Sequence, residues 1–410
     1  VKFEDYRISR EIKENLKILG FRRPTDIQFK AIPPILKGDD VLAIAQTGTG
    51  KTAAFAIPVI DIIHQQKNSS RSDFISCLVM VPTRELALQI TEVFQTISKL
   101  TRVKAACVFG GVDQDPQISR LKSGVDILVA TPGRMFDLVS QGHLILDKVQ
   151  ILILDEADHM LALGFIKDIR QLIHHLPRNR QTLFFSATIN PDIKELAYSL
   201  VVNPIRIEIS PKNPVAKNVT HSVVFIPMDD KRFFLERIIK ENPDSKILVF
   251  VRTKVRAERV FKAMERIEIK TITIHGDKQQ KDRLDVMNLF RSGQVKILIA
   301  TDVSARGIDI QNVDYVINYD LPDVAENYVH RVGRTGRGDK KGLAVSFCSP
   351  EERPVLDDIE AFLDQKIHVI NIDKEDYSAT IDFSDDNPHD WRALLKEEDQ
   401  NEKHFRRKKK

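Results

Sequence analysis

From Val41 onward the chain alternates short apolar runs with longer amphipathic stretches, and this alternation constrains the fold more than any other feature. VLAIA (41–45), CLVMVP (77–82), DILVAT (126–131), ILIL (151–154) and TLFFSA (182–187) read as buried strands. Helical spacing fills the intervals at 51–64, 85–100, 135–141, 160–176 and 192–200. Strand, helix and strand in repeated succession predict a parallel sheet covered by helices on both faces. At 203–218 the text changes to NPIRIEISPKNPVAKN, whose three prolines and polar residues suit an exposed connection. The same grammar then resumes with VTHSVVFI (219–226), KILVFV (246–251), KTITIH (270–275), VKILIAT (295–301), VDYVINY (313–319) and GLAVSF (342–347).

The expected fold class is therefore α/β, with two tandem parallel-sheet domains joined by a short linker. We place the first domain at 1–207, the linker at 208–218, the second domain at 219–375 and a flexible tail with a basic end at 376–410. A length of 410 residues, 42% hydrophobic and 29% charged, supplies two cores and excludes a disordered chain. The net charge of +4 permits a polyanionic partner without demanding one. Cys77, Cys107 and Cys348 lie far apart, which argues against a zinc cluster or a disulfide framework and for a reducing compartment. The charged N-terminus and the lack of a long apolar run predict neither secretion nor a membrane span, so a cytoplasmic location is expected.

Three segments carry chemistry. Ala45-Gln46-Thr47-Gly48-Thr49-Gly50-Lys51-Thr52 follows a predicted strand and opens a predicted helix, the setting of a phosphate-binding loop. Its glycines let backbone N–H groups turn toward phosphate oxygens, Lys51 can reach the β/γ-phosphates and Thr52 can ligate Mg²⁺. Ala45 stands where the general pattern has glycine, and Lys51 is read as an exposed loop residue supporting no core. Asp155-Glu156-Ala157-Asp158 closes the run ILIL; at such a strand end Asp155 can hold the Mg²⁺ water shell and Glu156 can polarise an attacking water. Alone, this tetrapeptide would equally be a helix cap. His330-Arg331-Val332-Gly333-Arg334-Thr335-Gly336-Arg337 repeats guanidinium groups at three-residue spacing, and Arg334 and Arg337 suit the charge of a transferring phosphoryl group. By itself that octapeptide would be read as a surface basic patch.

In this order the segments resemble the DEAD-box ATP-dependent RNA helicases, built from two RecA-like domains, and the short flanks resemble a minimal, bacterial-type member. The resemblance runs from about Phe3 to about Phe362. It implies that Gly20 to Gln28 is the adenine-reading segment, with Phe21 beside the base and Gln28 hydrogen-bonded to it, although Asp26 replaces a frequent proline. It further implies that Pro82, Thr83, Arg84, Gly111 (after Gly110), Thr131, Pro132, Gly133 and Arg134 contact RNA from the first domain. From the second, Arg252, Thr253, Gly276, Gln280, Arg283, Thr301 and Asp302 would do so. Asp309 would touch the ribose, while Ser186, Thr188 and His330 would couple nucleotide state to unwinding. Without the family, the first-domain RNA motifs would be turn and capping residues, and Arg283 and Asp302 partners in a surface ion pair.

The implied function is RNA-stimulated ATP hydrolysis that locally unwinds short RNA duplexes or remodels RNA–protein complexes, with ATP and Mg²⁺ as cofactors. Backbone contacts predict little sequence preference. Catalytic groups fall in both domains, so hydrolysis should be gated by their closure, and ATP and RNA should bind cooperatively. A monomer with ribonucleoprotein partners and no membrane association is expected. An ATP-dependent RNA clamp and a DNA-directed motor remain as alternatives.

Overall fold

Each central apolar run is buried on both faces, and successive residues divide between two cores. Val41, Ala43 and Ala45 point into one cluster with Cys77, Val79, Ile151 and Ile153, while Leu42 and Ile44 join Leu78, Met80, Leu152 and Leu154 on the other side. That two-residue period is the reason a continuous apolar strand needs helices on both faces. The computed structural model describes residues 1–46, 48–67, 74–209, 215, 218–278, 280–302, 313–336 and 341–384. Thr47, Asp309, Arg337, the side chain of Gln280 and the stretch 385–410 lie outside the described residues.

The described residues form two compact units, with Ile209 in the first and Val215 in the second. The first carries β1 (Val41–Ala45), β2 (Cys77–Met80), β3 (Ala105–Val108), β4 (Ile127–Ala130), β5 (Ile151–Leu154), β6 (Gln181–Ser186) and β7 (Ile205–Ile209). Their order across the sheet is β3-β4-β2-β5-β6-β1-β7, parallel throughout. The second carries β8 (Val219–Phe225), β9 (Ile247–Val251), β10 (Ile272–Ile274), β11 (Ile297–Thr301), β12 (Tyr315–Asn318), β13 (Gly342–Cys348) and β14 (His368–Val369). The order β10-β11-β9-β12-β13-β8-β14 is the same permutation shifted by seven strands.

The sequence reading omitted β3, β7 and β14, which are sheet-edge strands. Exposed residues interrupt β7, and β14 has only two residues. The segment expected as one helix over 160–176 is two, Ala157–Ala162 and Ile166–Ile173, parted at Gly164, whose φ of 82° ends a right-handed helix. The second unit also continues past 375. Helix Lys374–Asp382 packs Tyr377 on Phe234 with ring centroids 5.2 Å apart and buries Thr380. Its start therefore belongs to a core that polar composition concealed.

Candidate functional site

Six of the seven candidate segments of the first unit leave carboxyl ends of parallel strands, the segment 20–28 preceding β1, and the sheet order sorts those six. Gly110-Gly111 follows β3, Thr131 to Arg134 follows β4, and Pro82 to Arg84 follows β2. The next three positions carry Asp155-Glu156 after β5, Ser186 to Thr188 at the end of β6, and Gln46 to Thr52 after β1. RNA candidates thus occupy one side of the edge and nucleotide candidates the other. In the second unit Gly276 follows β10, Thr301-Asp302 ends β11 and Arg252-Thr253 follows β9, which are the same three positions in the permutation. Thr83 and Thr253 are matched in detail. Both N-cap the next helix, accepting from Leu86 N at 3.3 Å and from Arg256 N at 3.1 Å. Their hydroxyls therefore act as helix caps in addition to any ligand role.

At the nucleotide side, Gly48 and Gly50 adopt φ of 85° and 92°, turning the loop into the N-terminus of helix Lys51–Gln66. Thr49 Oγ1 donates to Gln46 O at 2.8 Å, closing the turn. Gln28 is buried; its Oε1 accepts from Thr25 N at 3.0 Å and its Nε2 donates to Gly50 O at 3.2 Å. One amide therefore fastens the segment 20–28 to the turn at 48–50, and a Cβ on Gly50 would come within 2.6 Å of that Nε2. Phe21 is held edge-on by Phe3, with centroids 5.8 Å apart.

Lys51 departs from its expected exposure. It is only 6% exposed, and its Nζ has no hydrogen-bond partner among the described residues. Asp155, 3% exposed, lies within its electrostatic reach; burial raises the Asp155 carboxyl to about 6, while the Lys51 charge opposes that rise. The next residue, Glu156, has a left-handed φ of 52°, unusual for a non-glycine and costly by about 1–3 kcal/mol. Its N–H donates to Asp155 Oδ1 at 2.9 Å, and its Oε2 lies 3.4 Å from His159 Nδ1. Asp158, which sequence reasoning left without a role, accepts from Ala187 N at 3.2 Å and from Thr188 Oγ1 at 3.3 Å. It thereby ties the acidic tetrapeptide to the segment 186–188. Ser186 is fully buried and its Oγ is unpartnered among the described residues.

The oxygens of Asp155 and Thr52 fit a magnesium ion, which takes one or two protein oxygens beside phosphate and water. No group of three or more His, Cys, Asp or Glu side chains suited to a metal occurs among the described residues. No described helix is long and apolar enough to cross a membrane.

On the RNA side, the Arg84 guanidinium lies against Gly111, where an added Cβ would sit 2.0 Å from its Nη1. Arg134 Nη2 donates to Val112 O at 2.9 Å, while its buried Nη1 has no partner among the described residues. Thr131 is buried, Pro132 begins helix Pro132–Ser140, and Gly133 opens onto empty space.

The second unit treats its candidates differently. Asp302 pairs with buried Arg331, not with Arg283: Arg331 Nε and Nη2 donate to its two carboxylate oxygens at 2.6 and 2.7 Å. Arg331 also donates to Asp320 O at 2.7 Å and stacks over Phe250. Arg252 is held by Asp323 and Glu352, each at 3.1 Å. Lys231, wholly buried, donates to Tyr319 O at 2.7 Å and Glu352 Oε2 at 2.5 Å. Arg334 is buried, which removes the surface-patch reading, and His330 is half-buried. His275 Nε2 lies 2.8 Å from Glu258 Oε1, and this contact holds the Glu258 carboxyl below its usual range.

Two family models match the chain, DEAD/DEAH box helicase over residues 25–196 and helicase conserved C-terminal domain over 230–339. The ATP-dependent RNA helicase DbpA of Bacillus subtilis is 40% identical over 378 residues, covering 92% of this chain and 78% of the relative. The ATP-dependent RNA helicase RhlB of Shewanella amazonensis is 39% identical over 383 residues, covering 91% and 86%. Among solved structures, S. cerevisiae Dbp5 bound to RNA and ADP BeF3 aligns with a TM-score of 0.81 at 28% identity, covering 92% of this chain and 98% of that one. Mss116p bound to ssRNA and AMP-PNP aligns with a TM-score of 0.82 at 27% identity, covering 96% and 84%.

Proposed function

The chain belongs to the DEAD/DEAH box helicase family, and from that premise we propose that it uses ATP hydrolysis to separate short RNA duplexes and remodel RNA–protein contacts. It is an ATP-dependent RNA helicase with RNA-stimulated ATPase activity. The observation that best supports the residue assignment is the buried, unpartnered Lys51 Nζ beside buried Asp155 at the mouth of the phosphate loop. An ammonium group without a partner is costly unless a ligand completes the site. ATP phosphates meet that charge; Gly48 to Thr52 supply backbone N–H groups, and Phe21 and Gln28 face the base. Glu156 orients the attacking water and accepts its proton. Bound by Asp155 and Thr52, Mg²⁺ would offset charge on the phosphate oxygens.

Arg334 and Arg337 complete the electrostatics from the second domain, with Asp309 at the ribose. RNA lies along the β3, β4 and β2 positions and their β10, β11 and β9 counterparts, read through backbone and 2′-hydroxyl groups. Asp158, through Ala187 and Thr188, relays nucleotide state toward unwinding. We place the linker near 208–218, and the activity in a cytoplasmic monomer that meets ribonucleoprotein partners.

Glu156→Gln should bind ATP and RNA normally while hydrolysis falls by about 10²–10⁴. The checks are nucleotide titration, steady-state turnover with matched RNA and DNA strands, and displacement from a short duplex. Equal stimulation by DNA would favour a DNA motor, and loss of ATP binding would remove Glu156 from its role.

A further inference from the structure

Beyond the carboxyl ends of β8 and β12, the second unit contains a cavity of about 610 Å³ where the first turn of helix Lys231–Glu241 meets helix Lys254–Arg266. Its wall is mainly basic, with Arg232, Arg256, Arg259, Lys262 and Arg266 against the carboxylates of Asp229 and Asp230, and Arg256 is paired with Asp320 at 3.5 Å. Its floor is apolar, with Phe233, Val260, Ala263 and Tyr319 buried beneath the charges. Arg259 and Lys262 are exposed, and neither has a hydrogen-bond or ion-pair partner among the described residues. The nearby carboxylate of Asp230 is engaged by the Tyr377 hydroxyl. Clustered like charge over an apolar floor suits an anionic ligand that also has an apolar face.

The described chain ends beside this groove. Ser384 Oγ donates to Glu236 Oε2 at 2.5 Å, on the same helix whose first turn lines the cavity. The next eighteen residues, 385–402, read DDNPHDWRALLKEEDQNE and carry seven carboxylates against two cations, Arg392 and Lys396. Trp391, Leu394 and Leu395 have the spacing of one helical face. A segment tethered this closely reaches an effective concentration of about millimolar, so modest contacts suffice to seat it.

We propose that residues 385–402 occupy this groove of their own chain, pairing their carboxylates with Arg259 and Lys262 and shielding Trp391 in the groove. A free RNA or a second copy could meet the same cations, but charge complementarity and the tether at Ser384 favour the chain's own acidic segment.

Trp391 is the only tryptophan in the chain, so its fluorescence reads the proposal directly in the full-length protein. At low salt its emission should be blue-shifted and its quenching by acrylamide weaker than in the denatured chain. Both differences should shrink at ~1 M salt, where the screening length is about 3 Å. Arg259→Glu with Lys262→Glu, at exposed positions that leave the core untouched, should abolish the shift at every salt. Charge restoration by Glu397→Lys with Glu398→Lys in the reversed background should recover part of it. A Trp391 as accessible as in denaturant at low salt would overturn the proposal, as would equal shielding in the reversed protein. Shielding that grows with protein concentration would assign the groove to a second copy and also overturn it. So would RNA binding weakened by the reversal while Trp391 stays exposed.

Discussion

Two lysines show how differently the two units prepare their strand edges. Lys51 and Lys231 are both buried in the first turn of a helix that follows a strand. Lys231 is neutralised within its unit by Glu352 and the Tyr319 carbonyl. The Lys51 ammonium has no hydrogen-bond partner among the described residues, and Asp155 near it is destabilised in its ionised form. Among the described residues, unpartnered buried atoms occur at both edges, at Ser186 Oγ, His159 Nε2 and Arg134 Nη1 in the first unit and at His275 Nδ1 and Ser349 Oγ in the second, so the contrast lies in the charged groups. The second unit instead links Asp302 to Arg331 and Arg252 to Glu352. At these charged groups the first edge leaves its lysine for a ligand, whereas the second completes its lysine and arginines with its own carboxylates.

The same substitution at both lysines should break this symmetry with opposite signs. Lys51→Met should abolish ATP hydrolysis while leaving the unliganded protein as stable as before or up to about 1–3 kcal/mol more stable, because an unsatisfied buried group is removed. Lys231→Met should destabilise by up to about 3–5 kcal/mol, since buried Glu352 would lose one of its two cations and keep only half-exposed Arg252. Turnover assays and denaturant unfolding of both variants test the pair. Equal destabilisation would mean that Lys51 too is a structural group.

A smaller effect follows from Asp155. The folded carboxyl keeps its proton up to about pH 6, whereas its ordinary value is 3.8, so ionising it costs folded stability progressively between about pH 4 and pH 6. Asp155→Asn cannot ionise and can still accept from Glu156 N. Its stability relative to the parent should therefore rise across that window by up to about 3 kcal/mol and stay level above it. Thermal unfolding of both proteins from pH 4 to 8 reads the difference; a flat difference would show that no burial penalty is stored there.

The central strands were legible because β1, β2, β5 and β6 are unbroken apolar runs with turn residues on either side. Edge strands were not, since β7 exposes residues on both sides of one buried isoleucine and thus lacks the pattern of a core strand. Lys51, Asp155, Glu156 and Arg334 stood out as candidates because they fall in short motifs whose residue types suit phosphate chemistry. The burial of Lys51 was not, because exposure depends on the packing around a helix end rather than on the motif. The second unit's charge network left no local signal, since Lys231 and Glu352 are 121 positions apart and Arg331 reaches Asp302 across 29. Asp158 was in plain sight in the tetrapeptide, but its acceptor role appears only when β5 lies next to β6.

The smallest effects separate residues that hold the RNA-side edge together from those that only leave room for a ligand. Gly111 has φ of 77°, and its added Cβ would run into the Arg84 guanidinium. Gly111→Ala should therefore cost about 1–2 kcal/mol of stability and weaken RNA binding, because Arg84 must swing away. Gly133 has neither constraint: no atom lies within 4 Å of its added Cβ, and it sits inside helix Pro132–Ser140. Gly133→Ala should leave stability unchanged or raise it by up to about 1 kcal/mol through helix propensity. If an RNA phosphate approaches this backbone, the new methyl group meets the RNA alone, so affinity falls in a protein that is no less stable. Unfolding curves and RNA titrations of the two variants, with ATP affinity as the control, decide between these roles. Unchanged RNA affinity in Gly133→Ala would remove the start of that helix from the RNA path, and would leave the β4 position resting on Thr131 and Arg134.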